Sequence, residues 1–309
     1  MNVQQLNSRF GAPSRIAFRA GFAGYPEVVL ACRYGTAEIS LLGANVLSYR
    51  PTGHAPVVFR PAKRDYNRGD KFHGGIPVCW PMFGNRMSKD LPQHGFASKM
   101  PFEVRASEYT EEMAEIRLGL ASDDATRSIW PHDFDLEVKI SVSMKLNLSM
   151  TTRNTGLEPF EFSCGFHPYL SVRERDGTYV RGLDGLSYFD GVKGVADCRL
   201  GGDLKLDEPV DHIFELPAAP RNETALVDEG LGRAIAVVFS GGGRTVVWNP
   251  GPGHSIADLA ADDWRRFVCV EPVSDWPGGR VLEPGGEHTL SAAIQSVQQE
   301  CKNEGADLQ

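Results

Sequence analysis

Apolar and polar residues alternate along most of the chain. The runs at 28–32, 37–42, 114–118, 136–142, 146–150, 234–239 and 245–248 are alternating or short and apolar, and a period of two dominates, the repeat that turns one face of a strand to a core and the other to solvent. Turn formers separate them, among them Gly241-Gly242-Gly243, Asn249-Pro250-Gly251-Pro252-Gly253 and Pro277-Gly278-Gly279; glycine and proline at that density end strands. The pattern predicts many short antiparallel strands and few helices, the best helical candidates being 255–259 and the tail 294–300. No composition break or Pro/Ser-rich linker divides the chain. The expectation is therefore an all-β fold, one large antiparallel sandwich over residues 1–309 with its core at about 20–298 and a frayed tail at 299–309.

Composition narrows the function classes. Hydrophobic residues at 41% and charged residues at 23% are globular values. A net charge of -8 without a dense Lys/Arg cluster argues against a nucleic-acid partner, which needs excess positive charge along one face. The basic run of Arg60, Lys63, Arg64 and Arg68 reads as a solvated loop. No apolar stretch approaches the ~18 residues of a membrane span, and MNVQQLNSRFGAPSR lacks the apolar segment of a secretory signal. The six cysteines, at 32, 79, 164, 198, 269 and 301, are widely spaced and mostly in apolar settings. They read as buried reduced thiols of a cytoplasmic protein rather than a disulfide framework or CxxC metal pairs.

Chemistry concentrates in a few segments. In LPQHGFA, His94 follows a turn; in FSCGFHPYL, His167 precedes a proline that biases it to an extended backbone. That geometry suits a strand end projecting a ring into a cleft. Cys164, three residues earlier, points to the opposite face of such a strand and makes no nucleophile pair with it. In RFVCVEP, Glu271 ends an apolar strand, so it is either paired, with Arg265 or Arg266 as the structural option, or tuned for function. VDHIF carries Asp211, and VVWNP carries Trp248 as an aromatic plate. Aromatic faces beside carboxylates suit a sugar, whose C–H faces stack on rings while its hydroxyls donate to oxygen. In KFHGGIPVCWPMFG, His73 precedes a Gly-Gly turn, and Trp80 and Phe83 are expected in the core or a cleft wall.

Taken in order, LLGANVLS, GGIPVCWPMFG, LPQHGFA, FHPYL, VDHIF, VVWNP and VCVEP resemble the aldose 1-epimerase superfamily, and within it the glucose-6-phosphate 1-epimerase branch, over roughly residues 35–290. The resemblance implies a large antiparallel β-supersandwich with the sugar in a cleft, no metal or organic cofactor, and interconversion of α and β anomers by ring opening. It also implies His167 as general acid, Glu271 as general base, and His94 and Asp211 as sugar contacts, with Trp248 and His73 beside them. The small-molecule partner is a sugar or sugar phosphate, and a monomer or weak homodimer is expected, without nucleic acid or membrane.

In the phosphosugar branch arginines usually stand where this chain has His73 and Ser98. Losing two bidentate cations weakens phosphate binding unless others replace them; Lys71, Arg86 and Lys99 are the candidates. The alternative is a sugar without phosphate, or with a different substituent. Two further readings remain open here: a non-catalytic carbohydrate-binding or sensing protein on the same fold, and a lyase or isomerase acting on another sugar.

Overall fold

A computed structural model of the chain describes residues 1–61, 73–85, 87, 89–275 and 278–299. Six of the seven runs lie wholly in strands and the seventh, 37–42, ends two residues past the strand Gly35–Ser40; every strand pairing within a sheet is antiparallel. A nine-stranded sheet runs in the order Leu204–Lys205, Thr178–Arg181, Asn222–Asp228, Arg233–Ser240, Glu287–Gln298, Leu146–Asn154, Phe134–Val142, Ala114–Ala121, Glu103–Tyr109. An eight-stranded sheet runs Val195–Arg199, Ser187–Asp190, Val210–Glu215, Arg244–Asn249, Phe267–Ser274, Cys164–Phe166, Val78–Cys79, with Tyr169–Ser171 also paired to Phe267–Ser274. A four-stranded sheet of Ile16–Ala20, Pro26–Cys32, Gly35–Ser40 and Val46–Pro51 packs on the nine-stranded one.

The strand Phe267–Ser274 lies against Asn222–Asp228, Arg233–Ser240 and Glu287–Gln298 of the larger sheet. Both its faces are therefore buried, which explains an apolar run without solvent-facing breaks. One hydrophobic cluster joins the inner faces of the sheets, and Leu6 and Phe10 extend it upstream of residue 20. No helix among the described residues is long and apolar enough to cross a membrane.

Both helical expectations are corrected. Residues 294–298 belong to the strand Glu287–Gln298, whose buried Leu290, Ala292 and Ile294 keep a period of two; the seven residues 294–300 are too few to tell that repeat from a helical one. Residues 255–259 form turns, and the helical geometry comes later, as a 3₁₀ turn at Asp263–Arg266. The two α-helices among the described residues are Val3–Phe10 and Asp124–Ile129, each opened by a capping box, on Asn2 with Gln5 and on Asp123 with Thr126. Four of the cysteines are buried free thiols and Cys198 is partly exposed; Cys301 and the tail from 300 onward lie outside the described residues.

Candidate active site

Alternation along four neighbouring strands builds the floor of a cavity. In Phe267–Ser274, Val268 and Val270 belong to the core between the sheets, so Cys269 and Glu271 face the other way. Register carries this sideways: Asp211 pairs with Trp248, Trp248 with Cys269, and Cys269 with Tyr169, while Ile213, Val246 and Glu271 form the next row. Above these rows opens a cavity of about 310 Å³ that has His73, His94, His167, Asp211, Trp248 and Glu271 in its lining. A larger groove, about 440 Å³, lies on the outer face of the nine-stranded sheet among Lys139, Lys145, Arg221 and serines. It holds no acid–base pair, so the cavity over Glu271 is the candidate site.

Glu271 is 1% exposed, and its Oε1 lies 3.4 Å from Nε2 of His167. Oε2 of the glutamate and Nδ1 of the histidine are buried without a hydrogen-bond partner. The imidazole is held by packing: it lies flat against Tyr169, with ring centroids 4.9 Å apart and planes 13° apart, and edge-on to Trp248 at 5.8 Å. Burial pushes the Glu271 carboxyl well above the usual carboxylate range, and the charge of Asp211 adds to this. Burial pushes His167 well below the ordinary imidazole value, helped by His94 and His73. The pair is thus set to hold one proton between a protonated acid and a neutral ring. Of the two readings of Glu271, the ion pair with Arg265 or Arg266 is not formed. Those arginines sit in the 3₁₀ turn before the strand and reach outward, to Asp262 at 4.0 Å and Glu174 at 3.7 Å.

His94 has φ +64°, a left-handed conformation that few non-glycine residues adopt. It brings the ring edge-on to Phe83 at 5.1 Å and to His167 at 5.4 Å. The Gly84 N–H donates to its Nδ1 at 3.3 Å, which assigns the proton of the neutral ring to Nε2. Asp211 approaches Gly191 so closely that a Cβ there would lie 2.3 Å from its Oδ2. Of Trp80 and Phe83, Phe83 is a wall residue, whereas Trp80 is core, donating from Nε1 to Thr152 Oγ1 at 2.9 Å.

His73 has a partner that the sequence did not disclose. Asp258 accepts from the His73 backbone N–H at 2.8 Å and lies 2.7 Å from its Nδ1 through the other carboxylate oxygen. Hydrogen bonding to His73 holds the Asp258 carboxyl below its ordinary value against the opposing effect of burial. The segment carrying Asp258 gave only a weak helical pattern, and no spacing rule links it to a residue 185 positions away. Gly74 and Gly75, with φ +103° and +74°, admit the turn beside it; a Cβ on either would come within 2.6 Å of Pro61 or Asn45. Of the phosphate candidates, Lys99 lines the cavity, and it is the only Lys or Arg among the described lining residues. Lys71 and Arg86 lie outside the described residues, as do Lys63, Arg64 and Arg68, while Arg60 pairs with Glu38 at 2.7 Å. One group of metal-type donors occurs at the site, His167, Cys269 and Glu271.

The aldose 1-epimerase family model matches residues 27–295. The chain belongs to the aldose 1-epimerase family. Within it the chain falls with the glucose-6-phosphate 1-epimerase branch. Relatives named "Putative glucose-6-phosphate 1-epimerase" from Salmonella typhimurium and Escherichia coli K12 are each 30% identical to it. The first aligns over 240 residues, 77% of this chain and 79% of the relative; the second over 238, 76% and 78%. The crystal structure of a Salmonella typhimurium protein described as a "putative mutarotase" superposes with a TM-score of 0.84 at 26% identity, covering 92% of this chain and 94% of the other. A galactose mutarotase-like protein from Clostridium acetobutylicum, 14% identical with a TM-score of 0.75 over 92% and 98% of the two chains, shares the fold. The family's supersandwich is thus the architecture of this chain.

Proposed function

We propose that this chain is a mutarotase that interconverts α and β anomers of an aldose by ring opening. The observation that carries the reading is the His167–Glu271 approach of 3.4 Å on the floor of a sugar-sized cavity. Opening a pyranose requires a base for the C1 hydroxyl proton and an acid for the ring oxygen. Closing it on the other face reverses both transfers: the protonated base gives its proton to the carbonyl oxygen, and the acid recovers its proton from the hydroxyl that becomes the ring oxygen. A pair that holds one proton meets both demands.

In the empty cavity, burial keeps that proton on Glu271. Sugar hydroxyls entering the site donate to the carboxylate and favour its ionised form, while the proton crosses to His167. Glu271 then takes the C1 hydroxyl proton as His167 donates to the ring oxygen. The C1–O5 bond breaks, C1 becomes an aldehyde, and rotation about C1–C2 precedes closure. Asp211 and His94 bind hydroxyls, and Trp248 offers its face to the ring C–H groups.

The substrate is an aldose without a phosphate dianion. What supports this is the scarcity of cations on the cavity wall: His73 and Ser98 line it where the phosphosugar branch usually carries arginines, Nδ1 of His73 is engaged by the Asp258 carboxylate, and Lys99 is the one Lys or Arg among the described lining residues. Anomer exchange measured by polarimetry or NMR saturation transfer on glucose, galactose, their 6-phosphates and a uronic acid tests both levels. Exchange is expected to be fastest on unphosphorylated sugars. Uncatalysed rates across the whole panel would end the mutarotase reading and leave the carbohydrate-binding alternative, and a clear preference for a 6-phosphate would end the substrate assignment alone. His73→Arg with Ser98→Arg is expected to raise activity on hexose 6-phosphates.

A further inference from the structure

Cys269 stands two residues before Glu271 on the same face of its strand and is fully buried. Its Sγ, a ring nitrogen of His167 and a carboxylate oxygen of Glu271 all lie within 4.8 Å of one another. Thiolate, imidazole and carboxylate are the donors of zinc sites, whose bond lengths of about 2.0–2.3 Å place tetrahedral ligands about 3.5 Å apart. Side-chain adjustments of about 1 Å or less would close this set on an ion. Glu271 Oε2 and His167 Nδ1 are buried without partners, so no hydrogen bond made through those atoms opposes such a shift. The charges also balance, because a dication with one thiolate and one carboxylate forms a neutral unit, the form a buried site accepts at least cost.

We propose that Cys269, His167 and Glu271 form a binding site for a soft divalent metal ion of the Zn²⁺ or Cd²⁺ type, and that the ion inhibits the enzyme by occupying its acid and base. Binding displaces one proton from the thiol and one from the carboxyl, both released to solvent. Mg²⁺, which demands six oxygen ligands, does not compete. The inhibitory half rests on the mutarotase reading; the site itself does not. The competing account of Cys269 is a small buried hydrophobe that only packs.

The test titrates Cd²⁺ into the full, chelator-treated chain and follows the ultraviolet thiolate-to-metal charge-transfer absorption. One equivalent is expected to saturate the band in the wild type and in Cys198→Ala. The band is lost in Cys269→Ala and in Cys269→Ser, whichever of the two folds better by circular dichroism, and Mg²⁺ gives none. Zn²⁺ is expected to inhibit anomer exchange in competition with sugar, and Cys269→Ala to weaken that inhibition by at least roughly tenfold. An absent band, or one that survives Cys269→Ala, overturns the site. Inhibition unchanged in Cys269→Ala overturns the proposed route of inhibition. A Cys269-dependent band on a protein without exchange activity on any sugar supports the site and overturns the functional reading.

Discussion

Glu271 sits where an ionised carboxylate is costly and a protonated one is tolerated. Its partner His167 sits where the neutral ring is favoured. The two displacements run in opposite directions, burial favouring the protonated acid and the neutral ring. The expected profile of kcat/KM is a plateau whose acid limb falls below the ordinary imidazole value of about 6.5 and whose alkaline limb falls well above the ordinary carboxylate value of about 4.3. A profile that already loses activity at pH 7 on the acid side would contradict it. Glu271→Gln and His167→Asn are each expected to lower kcat by ~10²–10⁴-fold, measured by saturation transfer, while sugar affinity from titration calorimetry changes far less. The sequence made both residues legible, His167 by its proline and Glu271 by its apolar strand. It did not make Asp258 legible, because a carboxylate that clamps a histidine 185 residues away leaves no local trace.

At the scale of elements, the site is an outcome of register. Successive side chains of a strand point to opposite faces, and in Val210–Glu215, Arg244–Asn249 and Phe267–Ser274 this puts Asp211, Trp248 and Glu271 on the cavity side. Which rung faces which is set by strand pairing, and a slip of one residue would bury Asp211 and expose Val210. The turn following Ser187–Asp190 tunes this arrangement, since Gly191 donates its N–H to the Asp211 carbonyl at 2.7 Å and leaves room for the Asp211 side chain. Gly191→Ala places a methyl group where the carboxylate now lies. It is expected to displace Asp211, lowering kcat/KM by roughly 10- to 100-fold with little change in melting temperature. Activity within twofold of wild type would show that Asp211 has no fixed role. The tail strand shows the opposite limit: 294–298 extends a strand that starts at Glu287, and a window that begins too late misses the alternation.

At the scale of the molecule, burying Glu271 in the floor of the cavity has a cost that depends on pH. Its folded-state pKa is raised, so the fold is unpenalised below the unfolded value near 4.3 and loses stability as pH rises toward the folded value, by about 1.4 kcal/mol for each unit of the shift. His167, with a lowered folded-state pKa, acts in the opposite sense and costs stability as pH falls below about 6.5. Glu271→Gln is close in shape to the protonated acid and cannot ionise. It is expected to match the wild type near pH 4 and to exceed it in melting temperature at pH 8, a trade of stability against activity at one position. Equal melting curves at both values would show that Glu271 is not strained by burial.

The sequence by itself determined the strand content, the class of fold and the buried thiols, because period two, turn residues and apolar flanks are local properties of the chain; the acid and base roles proposed for His167 and Glu271 rest instead on the family resemblance. Only the tertiary structure decided which side chains meet. The 3.4 Å approach of His167 to Glu271, the Asp258 clamp on His73 and the position of Cys269 beside the acid–base pair each join segments far apart in the chain. Those meetings depend on register and on the packing of one sheet against another, which no local pattern encodes.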